Sequence, residues 1–330
     1  MSVRVVRDDL RPPAAPPRRH LIAVADLDRD DVERLLATAS GFEAALDREV
    51  KKLPTLRGRL VVTLFFESST RTSSSFELAA KRLSADTMSV KSTGSSVDKG
   101  ESLKDTALTL AAYDPDVIVI RHPQIGAPRL VAGVTEARIV NAGDGKHQHP
   151  TQALLDLHTM RAATGRLDGL HVAIVGDVLH SRVARSLVQA LRLVGAHATL
   201  VGPPPLIPRG IEEALGCDVS HDIAAIADAD VVYVLRMQRE RMLEGANYVP
   251  SLREYTARWG VTADRVRPGQ VVMHPGPMNR GVEIDAAVAD GAQSLVTAQV
   301  RAGLVVRMAV LYDLLTAGRP APVEAALEVA

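Results

Sequence analysis

Leu60-Val61-Val62-Thr63-Leu64-Phe65-Phe66-Glu67, then Ser68-Ser69-Thr70-Arg71-Thr72, then Ser73-Ser74-Ser75-Phe76-Glu77-Leu78-Ala79-Ala80-Lys81-Arg82-Leu83, follow one another without interruption. The first run is continuously apolar, as expected of a strand buried on both faces of a parallel sheet. The last places Phe76, Ala79, Ala80 and Leu83 at helical spacing. Between them sits a hydroxyl-rich turn with one arginine. A helix N-terminus carries unpaired N–H groups and the positive end of the helix dipole, so it attracts an anion. Thr70 and Thr72 add hydroxyl donors, and Arg71 adds a planar fork suited to two phosphate oxygens. The same residues also fit an ordinary Ser/Thr cap beside an exposed arginine, and the turn alone does not choose between the two.

Working outward, strands and helices alternate along the whole chain. Asp28 caps a helix whose apolar positions are Val32, Leu35, Leu36, Ala39 and Phe42. Short strands are predicted at 86–90, 117–120 and 138–142, with helices at 101–113 and, opened by Pro150, at 153–162. The polar, glycine-containing connector 91–100 is long enough to be mobile or functional. The second half repeats the alternation: strands at 171–177, 198–201, 231–235 and 270–273, helices at 181–194 and 223–227, then a long apolar-periodic helix from 295. This pattern gives an α/β fold with two doubly wound domains, each around a parallel central sheet, joined by two crossing helices. The expected division is a disordered Pro/Arg-rich tail (1–19), a first domain (20–150) completed by the C-terminal segment 295–330, and a second domain (151–294).

At 330 residues the chain is long enough for two cores. Lys+Arg and Asp+Glu are both 39, which argues against a nucleic-acid footprint or a polybasic membrane surface. The lone cysteine, Cys217, excludes an intrachain disulfide and a cysteine metal site. No apolar run approaches membrane-spanning length, and the N-terminus has no signal-peptide core. The cytoplasm is the simplest compartment. His147 and His149 alternate without a carboxylate partner nearby, a weak metal set. Neither a G-x-x-x-x-G-K-[ST] loop nor a G-x-G-x-x-G is present.

Ligands of open α/β sheets sit beyond the carboxyl ends of the strands. The residues there are Ser69-Thr70-Arg71-Thr72, Arg121 and His149-Pro150-Thr151-Gln152 in the first half, and Arg182, Arg236 and His274-Pro275-Gly276-Pro277 in the second. Most are basic, hydroxyl or amide. They imply a cleft for two anionic substrates, working without cofactor or metal. Arg239, Glu240 and Arg241 read as a solvated charged face or as a lock on a loop by ion pairs, and Arg280 with Glu283 as an interdomain or loop pair.

Ser69-Thr70-Arg71-Thr72 together with His149-Pro150-Thr151-Gln152 resembles the carbamoyltransferase family, over nearly the whole chain from about Leu21. Further motifs are similar to the aspartate-specific catalytic chains of that family: Ser95-Ser96-Val97-Asp98-Lys99-Gly100-Glu101, Arg121-His122-Pro123, Asn141-Ala142-Gly143-Asp144, Arg236-Met237-Gln238-Arg239-Glu240-Arg241 and His274-Pro275-Gly276-Pro277. The ornithine enzymes usually carry H-C-L-P where this chain has His274-Pro275-Gly276-Pro277. Ser73 departs from the arginine that many members have after S-T-R-T. The resemblance implies a carbamoyl-phosphate-binding first domain and an aspartate-binding second domain. It implies that Ser69, Thr70, Arg71 and Thr72 hold the phosphate, that Arg121 and His149 donate to the carbamoyl oxygen, and that Gln152 with the Pro275 and Gly276 carbonyls, next to Pro277, orients the carbamoyl NH₂. Arg182, Arg236 and Gln238 would clamp aspartate. Ser95 and Lys99 would reach a neighbouring subunit's site, Lys99 contacting aspartate, in a homotrimer. The implied product is N-carbamoyl-L-aspartate, an intermediate of pyrimidine biosynthesis. The alternatives are another amine acceptor such as ornithine, or a non-catalytic scaffold or anion sensor. Whether a regulatory chain or a dihydroorotase associates is left open.

Overall fold

The computed structural model describes residues 20–91, 100–242 and 248–316. The calls on the tail 1–19, on Ser95 and Lys99, and on the stretch 317–330 lie outside the described residues.

The first sheet is built from β1 (Leu60–Phe65), β2 (Asp86–Lys91), β3 (Val117–His122) and β4 (Arg138–Asp144), all parallel, in the order β2-β1-β3-β4. The second contains β5 (His171–Val175), β6 (His197–Val201), β7 (Asp218–Ser220), β8 (Val231–Val234) and β9 (Val271–Met273), also parallel, in the order β7-β6-β5-β8-β9. Each order reverses once, between β1 and β3 and between β5 and β8. The loops leaving those strands diverge there and open a crevice, where ligands of such sheets bind.

The helices are α1 (Arg29–Leu46), α2 (Thr70–Arg82), α3 (Leu103–Ala111), α4 (Ala127–Val134), α5 (Pro150–Thr164), α6 (Arg182–Leu193), α7 (Ile211–Leu215), α8 (Leu252–Trp259), α9 (Ala286–Ala289) and α10 (Val296–Thr316). Asp28 and Asp31 form a reciprocal capping box on α1, as the acidic run at 28–31 leads one to expect. The segment expected as a helix at 223–227 is a 3₁₀ turn, Ile223–Asp228, capped by Asp222. No helix among the described residues is long and apolar enough to cross a membrane.

Both faces of each sheet are covered. On the first sheet Val62, Leu64, Ile118 and Ile120 face one cluster, and Val61, Val117, Val119 and Val140 face another. That second cluster continues through Leu154 and Leu157 of α5 and Val305 and Val306 of α10 to Val172 and Ile174 of β5. The two sheets thus share one apolar core. α5 is buried on every side from Pro150 to Met160, its polar residues Gln152, Asp156, His158 and Thr159 included. α10 packs against α1, α2 and α5 and so returns the chain to the first sheet.

Candidate active site

The carboxyl edges of both sheets open on one cavity of about 990 Å³. Its lining includes Ser69, Thr70, Arg71, Thr72, Arg121, His149, Gln152, Arg182, Arg236, Gln238, Pro275, Gly276 and Pro277. Every described residue singled out from the sequence as a candidate therefore meets in one place. Among the described residues the lining holds seven arginines against two glutamates, Glu67 and Glu240. A chain of zero net charge has gathered a strong local excess of positive charge, which selects anionic ligands.

β1 runs directly into the N-terminus of α2. The first-turn amides of any helix lack an intrahelical acceptor, and here the Ser69 side chain does not cap them. Arg71 reaches from this turn toward the loop after β9: a Cβ on Gly276 would lie 3.2 Å from the Arg71 Cζ. Gly276, at φ +64°, permits this close approach. The Gly276 amide donates to Nδ1 of His274, 2.9 Å away, and so shapes the turn.

The wall between the halves is held by Glu67. Its carboxylate accepts from Arg121 Nε (3.2 Å), Arg182 (2.7 Å) and Arg241 (2.9 Å). Arg121 belongs to the first sheet, while Arg182 opens α6 and Arg241 follows β8. Arg182 and Arg241 each also donate to the Gly145 carbonyl, at 3.0 and 2.8 Å. Gly143, at φ +118°, leaves the space: a Cβ there would stand 2.9 Å from Arg182 Nε. Burial alone would raise the Glu67 carboxyl, but the attraction of Arg182, Arg121 and Arg241 outweighs it and holds the group below its ordinary value. Burial, then repulsion from Arg182, brings Arg121 down to about 9 despite Glu67. Burial lowers Arg182 as well, against the pull of Glu67.

His149 caps α5. Its main-chain N–H donates to Ser186 Oγ at 2.8 Å, while its buried Nδ1 has no hydrogen-bond partner among the described residues. Burial, with the positive charges of Arg121, Arg182 and Arg307, holds this imidazole well below its ordinary value, so it is neutral near pH 7. Arg236 is paired with Glu240. Gln238 is fixed by Asp177 Oδ2 at its amide N–H (3.1 Å) and by the His180 carbonyl at its side-chain NH₂ (3.0 Å).

Three readings need correction. Of the two readings of 239–241, the solvated one fails for Arg241, whose ion pair is made to Glu67 across the cavity wall, a partner no local pattern encodes. Arg280 pairs with Asp290, at 2.6 Å, and not with Glu283, which is fully buried and accepts from the Asn279 amide beneath the His274 turn. His147 does have a carboxylate beside it, Asp144 at 3.1 Å. Sequence reasoning missed Glu67 at the cavity wall. Its signal was an acid closing an apolar strand immediately before a run of anion-binding groups.

Two family models together span almost all of the described chain. "Aspartate/ornithine carbamoyltransferase, carbamoyl-P binding domain" matches residues 19–162, and "Aspartate/ornithine carbamoyltransferase, Asp/Orn binding domain" matches 168–314. The aspartate carbamoyltransferase catalytic subunit of Salinispora arenicola is 57% identical over 303 residues, covering 90% of this chain and 98% of that protein. The corresponding subunit of Kineococcus radiotolerans is 56% identical over 315 residues, covering 92% and 98%. Among solved structures, aspartate transcarbamoylase from Trypanosoma cruzi in complex with carbamoyl phosphate and aspartate superposes with a TM-score of 0.83 at 33% identity, over 91% of this chain and 99% of that one. The catalytic subunit of M. Jannaschii aspartate transcarbamoylase gives 0.81 at 36%, over 92% and 100%. With both models matching and relatives this similar over their full length, the chain belongs to the aspartate/ornithine carbamoyltransferase family.

Proposed function

We propose that this protein transfers the carbamoyl group of carbamoyl phosphate to the amine of L-aspartate, giving N-carbamoyl-L-aspartate and phosphate. One observation carries the reading: the anion-binding helix start at 69–72, Arg121, His149 and the second-half arginines converge on one cavity. The α2 amides, Arg71 and Thr72 hold the phosphate. Arg121 and His149 donate to the carbamoyl oxygen, where negative charge grows as the amine attacks. Because His149 is neutral, it donates without adding to the repulsion around Arg121. Gln152 and the Pro275 and Gly276 carbonyls receive the carbamoyl NH₂. Arg182, Arg236 and Gln238 bind the two carboxylates of aspartate. As the bond from the carbamoyl carbon to the bridging phosphate oxygen breaks, the departing phosphate takes the proton that the attacking amine loses. Holding both substrates in one cavity supplies a large share of the acceleration.

The same reading carries a cytoplasmic homotrimer in which Ser95 and Lys99 of one copy complete a neighbour's site. Light scattering of the purified protein checks the mass. Formation of carbamoyl aspartate from the two substrates tests the activity. Replacing aspartate by ornithine tests the acceptor, because Arg182 and Arg236 repel a cationic side chain. Arg71→Ala is expected to lower the rate by ~10² or more, as loss of a single preorganised donor does elsewhere. An Arg71→Ala protein with full activity would remove Arg71 from the proposed site, while a folded wild-type protein that makes no carbamoyl aspartate would leave a scaffold or anion-sensing role.

A further inference from the structure

Below the cavity floor lies a carboxylate that the proposed reaction does not use. Asp156 sits one helical turn after Gln152 on α5 and is fully buried. Its Oδ1 accepts from Gln152 Nε2 at 3.1 Å and from Gln299 Nε2 at 2.8 Å, and its Oδ2 accepts from the Tyr233 hydroxyl at 2.7 Å. No ion pair to Asp156 is found among the described residues; Arg307 attracts it only at a distance. A buried carboxylate without a cation is costly. What it offers in return is chemical polarity. A carboxylate oxygen accepts and does not donate, so it fixes which end of each glutamine faces it.

The consequences reach the cavity from two sides. With its NH₂ turned to Asp156, Gln152 keeps its carbonyl oxygen for the cavity that the side chain lines. Gln299, turned the same way, has its own oxygen free to accept from the His274 main-chain N–H at 2.9 Å. That bond holds the start of the turn whose Pro275 and Gly276 border the cavity. Burial pushes the Asp156 carboxyl up to about 7. A proton, when present, sits on Oδ2, and the Tyr233 hydroxyl turns to accept it. Oδ1 keeps both glutamines in either state.

Resting on the reading above, we propose that Asp156 is a positioning residue that makes this part of the cavity an array of acceptors, so that the site selects a group bearing NH₂ over one bearing CH₃. Acetyl phosphate is the probe, since it replaces the carbamoyl NH₂ by methyl and keeps the phosphate. The measurement is the KM of carbamoyl phosphate against the inhibition constant of acetyl phosphate, in wild type, Asp156→Ala and Asp156→Asn. Asp156→Ala is expected to raise the carbamoyl phosphate KM about tenfold or more while acetyl phosphate moves less than about twofold, because only the first ligand loses its acceptors. Asp156→Asn presents an oxygen to the glutamines and NH₂ to Tyr233, so it restores the ratio to within about threefold of wild type. Equal shifts of both constants in Asp156→Ala, or a tenfold loss of the ratio in Asp156→Asn, overturn the proposal. Should Asp156→Ala not fold, Gln299→Leu replaces it: a selective rise in the carbamoyl phosphate KM supports the proposal, and equal shifts defeat it. A wild-type protein that makes no carbamoyl aspartate would instead defeat the functional reading, and is seen before any variant is prepared.

Discussion

Glu67 and Asp156 are acids at the same cavity, and they are held in opposite ways. Glu67 faces three guanidiniums drawn from both halves and sits below its ordinary pKa. Asp156 faces two amides and a phenol and is pushed up to about 7. The first is an electrostatic clasp between segments far apart in the chain. Its strength depends on how well water and salt reach it. The second is a rigid donor–acceptor lattice inside the core, where charge is a burden and geometry is the gain. A wall that must let substrates enter suits the first arrangement. A floor that must keep a fixed hydrogen-bond polarity suits the second.

The sharpest way to break the comparison is Glu67→Ala. It leaves Arg121, Arg182 and Arg241 facing one another with no acid between them. Losing one partner of a buried pair costs about 3–5 kcal/mol, and with the Glu67 side chain 22% exposed the expected loss is smaller, about 2–3 kcal/mol. Falling on the arginine arrangement that binds aspartate, that loss lowers kcat/KM for aspartate by ~30- to 160-fold. High salt, by screening the bared arginines, should recover part of it. A variant with wild-type kinetics at low salt would show that the clasp holds nothing the reaction needs.

Asp156→Asn reverses the sign. The folded carboxyl titrates near 7 and an ordinary aspartate near 3.8, so the native state binds more protons than the unfolded chain between those values. Native stability therefore falls as pH rises through that window and stays reduced above it. The asparagine carries no such burden. Its Tm should exceed that of wild type by a few degrees at pH 8–9, and the advantage should vanish below about pH 4. Thermal melts across pH check this. A variant less stable than wild type at pH 9 would mean that the charge-assisted bonds outweigh the cost of burial.

Much of the site was legible because parallel sheets send every strand's carboxyl end to the same edge. Knowing where β1, β3, β5, β8 and β9 stop was enough to collect Arg71, Arg121, Arg182, Arg236 and the 274–277 turn without knowing a single distance. Residues whose role depends on a distant partner were not legible. Arg241 and Glu67 are 174 positions apart, and Asp156 meets Gln299 across 143. In the sequence Asp156 is one of several polar residues on α5, beside Gln152, His158 and Thr159, and nothing local sets it apart. The short elements α4 and β7 were missed for a local reason. Ala127–Val134 is eight residues carrying a proline and a glycine, too short a run to stand out, and Asp218–Ser220 is three residues on a sheet edge.

The smallest expected effect comes from the pair with some of the best geometry. Arg280 meets Asp290 through two bonds of 2.6 and 2.7 Å, shorter than two of the three contacts to Glu67 and no longer than the third. Their side chains, however, are 43% and 67% exposed. Water already solvates both charges, so forming the pair exchanges one set of good contacts for another and restrains two side chains in doing so. Asp290→Asn should leave both Tm and the aspartate KM indistinguishable from wild type. If it instead matched Glu67→Ala, distance would rank these interactions and the dielectric argument separating wall from surface would fail. If it is silent, what distinguishes Glu67 is that its arginines have nowhere else to put their charge.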